Sequence, residues 1–177
     1  MMKKLAYMFI ATLFMVGLGN QSTAQKVQKS PKSVLTQTVG LTDITVTYFR
    51  PGLKGREMAS LATAGKVWRT GANNATQLTF SNAVTISGKE LPAGTYSLYT
   101  IPGTTEWTII INSKQSWGTQ YNAASDVLRF TTKAIKTAET TETFTINISD
   151  IAANGKDAAL ELRWGNVSVK APLTVSK

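Results

Sequence analysis

The chain has 177 residues, with 19 lysines and arginines against 10 aspartates and glutamates, and its formal net charge is +9. Histidine and cysteine are both absent. These absences exclude serine–histidine and cysteine–histidine catalysis, disulfides, iron–sulfur clusters and conventional zinc sites. Carboxylates and neutral oxygens are the remaining metal ligands. Because the usual histidine and cysteine ligands are absent, we expect no cofactor and no metal. The residue types by themselves disclose no biochemical activity.

The first 24 residues have the features of a secretory leader. Lys3 and Lys4 precede an apolar stretch, residues 5–18, which is too short to span a bilayer. Small residues at Ser22 and Ala24 fit the exit site of a signal peptidase. We predict cleavage after Ala24, export to the periplasm or the outside of the cell, and no membrane span in the processed chain. An uncleaved membrane anchor is the alternative.

The processed chain, residues 25–177, is predicted to form one domain. A chain of roughly 150 residues buries about two-thirds of its unfolded surface, which is enough for a stable core without disulfides or structural metals. Its positive charge favours an anionic or carbohydrate ligand or an envelope protein as partner. Export, and the lack of clustered lysines and arginines, argue against nucleic acid. A basic surface without any partner is the plainer alternative.

Apolar and polar residues alternate along most of the chain, which is the pattern of strands with one buried face. In chain order the predicted strands are residues 34–39, 44–48, 76–80, 83–87, 95–101, 107–111, 127–133, 143–148, 160–164 and 167–175. Turn pairs such as Asn154-Gly155 separate them. About ten short strands predict an all-β fold, either a single antiparallel β-sandwich or a flattened barrel. Residues 57–64 are the one helical candidate.

The buried faces of these strands define an expected core. Residues 107–111 are apolar on both faces, so that strand should be central in its sheet. Trp107 and Trp164 lie in alternating strands and are assigned to the core. The other expected core residues are Val46, Tyr48, Leu98, Ile109, Ile111, Phe144, Ile146, Leu160 and Leu162.

The most informative segment is the connection formed by residues 50–75. Long connections in compact domains are usually functional or disordered. This one carries five cations against Glu57 as its single acid, and the cations are Arg50, Lys54, Arg56, Lys66 and Arg69. Arginine binds carboxylates and phosphates, tryptophan provides a stacking face, and asparagine adds neutral hydrogen bonds.

Two interpretations of this connection remain open. In the first, Arg50, Arg56, Trp68, Arg69 and Asn73 form a pocket for an anionic or sugar-like ligand. In the second, which is the more ordinary, Trp68 plugs the core while the polar side chains bond loop carbonyls. A second irregular stretch, residues 113–126, adds Trp117 and Tyr121, whose rings either stack on a sugar or fold back on the sheet.

The acidic residues indicate little catalytic chemistry. Glu139 and Glu142 leave open a carboxylate pair like that of a glycan hydrolase, but no pattern places two acids on facing strands. Asp150 and Asp157 flank a turn where calcium is a weaker hypothesis than a hydrated hairpin. The acid-poor connection therefore favours a non-catalytic binding module. A hydrolase without histidine or cysteine, and a purely structural envelope protein, remain alternatives.

Seven motifs in this order resemble those of the DUF2911 family, secreted bacterial proteins of no established activity. They are Arg50-Pro51, Lys54-Gly55-Arg56, Gly65-Lys66-Val67-Trp68-Arg69-Thr70-Gly71-Ala72-Asn73, Leu91-Pro92-Ala93-Gly94-Thr95-Tyr96-Ser97-Leu98, Ile101-Pro102-Gly103, Glu106-Trp107-Thr108 and Trp117-Gly118. The resemblance extends from about Ser30 to the C-terminus. It implies export and an all-β fold, and it implies no activity.

Overall fold

The computed structural model describes residues 27–117 and 120–176, so the predicted leader and its cleavage site lie outside the described residues. Two short helical turns are present, α1 (Met58–Leu61) and a 3-10 turn (Ala123–Ser125). The described residues form nine strands: β1 (Lys32–Val39), β2 (Thr42–Phe49), β3 (Thr76–Phe80), β4 (Val84–Ile86), β5 (Lys89–Leu91), β6 (Gly94–Ile101), β7 (Glu106–Asn112), β8 (Asp126–Ser149) and β9 (Asp157–Val175). No helix in the described part of the chain is long and apolar enough to cross a membrane.

All neighbouring strands are antiparallel and follow the order β1-β2-β3-β6-β7-β8-β9-β4-β5. The first part of β8 pairs with β7 and its later part pairs with β9, so the two halves of the sheet share this strand. The halves pack face to face: the Tyr48 hydroxyl on β2 accepts a hydrogen bond from the Ile146 amide on β8 at 3.0 Å. The predicted all-β antiparallel sandwich is confirmed, and the sheet does not close into a barrel.

Two predicted strand boundaries are wrong, because β8 and β9 each run continuously through two predicted strands. Their pairing changes register between Lys136 and Thr141 and again before Thr145. Such irregularities break the alternation of buried and exposed side chains without ending the strand. The short strand β5 was not predicted, since Lys89 and Glu90 are exposed and only Leu91 is buried.

The predicted core is confirmed, with every residue named above at most 3% exposed. The strand β7 is central in the sheet order and is buried on both faces, as predicted. Ile109 and Ile111 face the main core, whereas Ile110 packs with Tyr99 and Ala75 on the opposite face. That second face matters for the site because Tyr121 covers it.

The connection between β2 and β3 is fixed to both halves of the sandwich. Trp68 exchanges two main-chain hydrogen bonds with Thr100 of β6, at 2.7 and 2.9 Å. The Leu53 amide donates to the Glu142 carbonyl, and the Phe144 amide donates to the Pro51 carbonyl, both at 2.9 Å. These bonds hold the basic connection against β6 on one side and β8 on the other.

Candidate functional site

A cavity of about 630 Å³ lies beside the β2–β3 connection, and we call it the basic cleft. Its volume falls within the roughly 300–1,000 Å³ of small-molecule sites. Four residues proposed from sequence meet here: Arg56, Trp68, Arg69 and Tyr121. The remaining lining residues are Lys29, Ser30, Pro51, Leu61, Val67, Gly71, Ala72, Tyr99 and Trp164.

The lining of the basic cleft carries three cations, Lys29, Arg56 and Arg69, and no aspartate or glutamate. The ion pairs found among the described residues are Arg129–Asp126 and Lys170–Asp150, so neither compensates the cleft. Like charges without a counter-ion raise the local positive potential, and a concave, partly apolar wall strengthens it. The cleft is therefore suited electrostatically to an anion.

Arg69 is the cation of the cleft whose Nε has no hydrogen-bond acceptor, a feature that Arg163 Nε shares among the described residues. Its side chain is half-buried, and within residues 27–117 and 120–176 no acceptor lies within reach of its buried Nε. A buried, unsatisfied donor costs about 1–3 kcal/mol, and more when the group is charged. Arg69 also lines the basic cleft, so a ligand in that space can contact its charged side chain.

The backbone around Arg69 adopts conformations that ordinary residues avoid. Thr70 has a φ of 55°, which is unusual for a β-branched residue, and Asn73 has a φ of 57°. Gly71 has a φ of 154°, and a Cβ there would lie 3.0 Å from the Phe49 carbonyl oxygen. The Thr76 hydroxyl bonds the Thr70 carbonyl and stabilises this geometry. Strain of this kind persists only where the surrounding structure maintains it, and it is often found at functional sites.

Trp68 is packed in the core, as the plug interpretation expects, and it also lines the basic cleft. It is 8% exposed, and its ring stacks on Trp164 at 5.4 Å with an interplanar angle of 13°. Its Nε1 donates to the Gly71 carbonyl at 3.1 Å. Trp107 and Phe144 meet the same ring edge-on. The two interpretations of the connection therefore apply to adjacent residues, Trp68 being packed and Arg69 open.

The structure separates Arg50 from the other predicted ligand-binding residues. Arg50 does not line the basic cleft. Its Nε donates to the Phe144 carbonyl at 3.1 Å and its Nη2 donates to Thr145 Oγ1 at 2.8 Å. Arg50 thus joins the connection to β8. Arg56 also bonds carbonyls, those of Leu53 and Gly52, but it remains exposed and lines the cleft.

Asn73 and Trp117 line a second cavity of about 650 Å³, which we call the Trp117 cavity. Lys29 and Ser30 line both cavities, so this short segment borders the two spaces. The Trp117 ring is 72% exposed, which is uncommon for so large an apolar side chain. The other lining residues are Val27, Gln28, Phe49 and Asn74.

Tyr121 presents its ring to the basic cleft while its hydroxyl is occupied elsewhere. The hydroxyl donates to Asp126 Oδ2 and accepts from Arg129 Nη2, each at 2.6 Å. Burial, followed by the hydrogen bond to Asp126, raises the pKa of Tyr121 above its ordinary value of 10.0. The phenol therefore stays neutral, and its ring packs on Tyr99 at 5.0 Å. Tyr121 contributes an apolar wall.

Sequence reasoning missed several lining residues. Lys29 and Ser30 lie in a short polar segment that has no periodic pattern, so no signal in the sequence marks them. Tyr99 lies on the face of β6 opposite to Leu98, and the period-two rule alone predicts that difference. Trp164 is core, as predicted, and also reaches the cleft.

Glu139 and Glu142, the carboxylate pair left open by the sequence, do not line a common cavity among those found in the described residues. Glu142 lines a separate space of about 520 Å³ with Glu57, and Glu139 is not among its lining residues. Glu142 Oε1 already accepts the Lys54 amide at 2.7 Å. Asp157, at the start of β9, accepts hydrogen bonds from Asn154 in the β8–β9 turn and from Thr174 near the end of β9. No group of three or more acidic side chains that could hold a metal occurs in the described part of the chain.

Comparison with known proteins gives a family and no activity. No curated protein and no solved structure matches the chain. One family model, described as "Protein of unknown function (DUF2911)", matches residues 30–173. That range contains every strand except the last two residues of β9, together with the β2–β3 connection and the greater part of both cavities. The chain is therefore a member of the DUF2911 family of proteins of unknown function.

Proposed function

We propose that this protein is a non-catalytic binding module that holds an anionic ligand in the basic cleft. The observation that carries the proposal is the Arg69 side chain, whose Nε has no acceptor among the described residues and which lines a cavity with two further cations and no acid. A carboxylate, sulfate or phosphate group supplies acceptor oxygens that match the planar guanidinium.

The other residues that line the basic cleft have two different roles in the proposed binding. Arg56 and Lys29 supply positive charge at the rim, since both are exposed. Trp68, Tyr99 and Tyr121 supply aromatic walls against which the apolar part of a ligand packs. The lack of a lining carboxylate supports binding over hydrolysis, because acid–base hydrolysis of glycans needs two such groups at the bond.

We further propose that the protein acts outside the cytoplasm. The support for this is the sequence of residues 1–24, with two lysines, an apolar stretch and small residues at the exit site. N-terminal sequencing of material from the periplasm or the medium should begin at Gln25. Recovery of an intact Met1 terminus from the cytoplasm would contradict export.

Calorimetric titration with sodium sulfate and with galacturonate tests the binding proposal. We expect both anions to bind the wild-type protein, more weakly as ionic strength rises, and to lose binding in Arg69→Ala. The matched control is Lys89→Ala, which removes an exposed cation far along the chain in β5 and should bind as wild type. A wild-type protein that binds neither anion would contradict the proposal, as would an Arg69→Ala variant that binds both normally.

A further inference from the structure

The basic cleft and the Trp117 cavity border each other along one short segment. Lys29 and Ser30 line both, and the chain passes from Arg69 and Gly71 in the first to Asn73 and Asn74 in the second. Lys29 and Ser30 are held nearby because the Arg50 amide donates to the Pro31 carbonyl at 2.9 Å. A ligand longer than one ring can therefore contact both spaces.

The two spaces have different chemistry. The basic cleft has cations and no acid, whereas the Trp117 cavity combines an exposed indole with the amides of Asn73 and Asn74. An amide side chain both donates and accepts, as the hydroxyl groups of a sugar do. An exposed aromatic ring provides a face on which the C–H side of a sugar ring can pack. One space suits a charged group and the other suits a neutral ring with hydroxyls.

From this juxtaposition we infer that the ligand is an acidic oligosaccharide of at least two sugar units. One unit places its carboxylate or sulfate at Arg69, and the next stacks on Trp117 with its hydroxyls on the two asparagines. The inference rests on the proposed function, since it names the class of anion that the basic cleft holds. It adds Trp117 and Asn74 as residues that determine specificity for ligand length.

Intrinsic fluorescence offers a direct readout of the second subsite. The chain has four tryptophans, and Trp68, Trp107 and Trp164 are at most 8% exposed, whereas Trp117 is 72% exposed. Collisional quenching by acrylamide therefore reports mainly on Trp117. Stacking of a sugar on this ring should lower the quenching constant, whereas binding of an anion at Arg69 alone should leave it unchanged.

The experiment titrates two sets of probes, α-1,4-linked galacturonates of one to four units and chondroitin sulfate oligosaccharides of two to six units. For at least one set we expect affinity to rise about tenfold when a second subsite is filled, together with protection of Trp117. Trp117→Ala should lose that gain and keep the affinity for galacturonate itself. Leu41→Ala, at a residue 79% exposed outside both cavities, should behave as wild type.

The outcomes separate this inference from the proposed function. If galacturonate binds through Arg69 but neither set of probes gains affinity with length, the inference of an oligosaccharide ligand is overturned. The proposed binding of an anion is then retained. If a poly-glutamate peptide binds as tightly as the best oligosaccharide, or methyl-esterified galacturonates bind as well as the free acids, the inference is also overturned. If no anion binds at all, both proposals fail.

Discussion

The β2–β3 connection has an arginine near each end, Arg50 and Arg69, and the two arginines differ in their hydrogen bonding. At the first end, Arg50 bonds a carbonyl and a hydroxyl of β8, and the Leu53 amide bonds β8 as well. At the second end, Arg69 Nε lacks an acceptor among the described residues, on a backbone strained at Thr70. Positive charge alone therefore does not identify a ligand-binding residue. Arg50 donates its hydrogen bonds to β8 and has a structural role, whereas the Arg69 side chain has an unsatisfied Nε and lines the basic cleft.

The sharpest stability contrast is between two tryptophans. Trp68→Ala should destabilise the protein by about 3–5 kcal/mol, because it removes a ring that contacts Trp107, Phe144 and Trp164. Trp117→Ala should change the free energy of unfolding by less than about 0.5 kcal/mol, since that ring is mostly exposed. Urea unfolding of both variants measures the difference. Equal losses would contradict the assignment of Trp68 to the core and Trp117 to the surface.

The next contrast is between the two arginines of the same connection. Arg50→Ala should cost about 1–3 kcal/mol, because it leaves the Phe144 carbonyl and the Thr145 hydroxyl without their donor. Arg69→Ala should cost less than about 0.5 kcal/mol. Thermal melting of the two variants beside the wild type checks the order. A larger loss for Arg69→Ala would mean that Arg69 is structural, and the proposed function would lose its main support.

The close approach at Gly71 can be separated from its φ angle. Gly71→Ala should cost about 1–3 kcal/mol, since the new Cβ would meet the Phe49 carbonyl oxygen, which belongs to the backbone. Gly65→Ala is the control, because Gly65 has a positive φ of 73° and open space around its Cβ position. We expect about 1 kcal/mol for that change. Equal melting temperatures for the two variants would show that the close approach contributes nothing.

The smallest expected effect is a pH dependence far from the cleft. Hydrogen bonds from Asn154 and then Thr174 lower the pKa of Asp157 below its ordinary value of 3.8. Its contribution to stability is therefore complete above that value and is lost as pH falls through the lowered pKa. Asp157→Asn should flatten this acid branch of the stability curve. Urea unfolding between about pH 6 and pH 3 measures it, with exposed Glu90→Gln as control. An unchanged acid branch in Asp157→Asn would contradict the assignment.

The sequence predicts the sheet and core well because alternation is a direct consequence of strand geometry. Phe144, Ile146 and Ile148 alternate as they should and are buried. The prediction fails where pairing is irregular, as between Lys136 and Thr145 in β8, since a bulge shifts the pattern without ending the strand.

The site was only partly predictable from sequence. The basic, tryptophan-containing connection predicted from sequence does border the candidate cavity, and it brings Arg56, Trp68 and Arg69 to it. Adjacent residues of an irregular segment have no fixed relation between their side-chain directions. The sequence therefore could not show that Trp68 packs while Arg69 stays open. Lys29 lines the cleft together with Arg56 and Arg69, which are distant from it in sequence. No local sequence pattern encodes a contact of this kind.

The central claim is that an anion in the basic cleft binds the Arg69 side chain. The chain has five arginines, so five Nε–H resonances are expected in a ¹⁵N–¹H spectrum, and Arg69→Lys assigns the one of interest. Titration with galacturonate should move the Arg69 Nε–H signal and saturate, while the Arg50 signal, already bonded to β8, stays in place. A saturating titration that leaves the Arg69 signal unmoved, or the absence of any response to galacturonate and sulfate, would contradict the account.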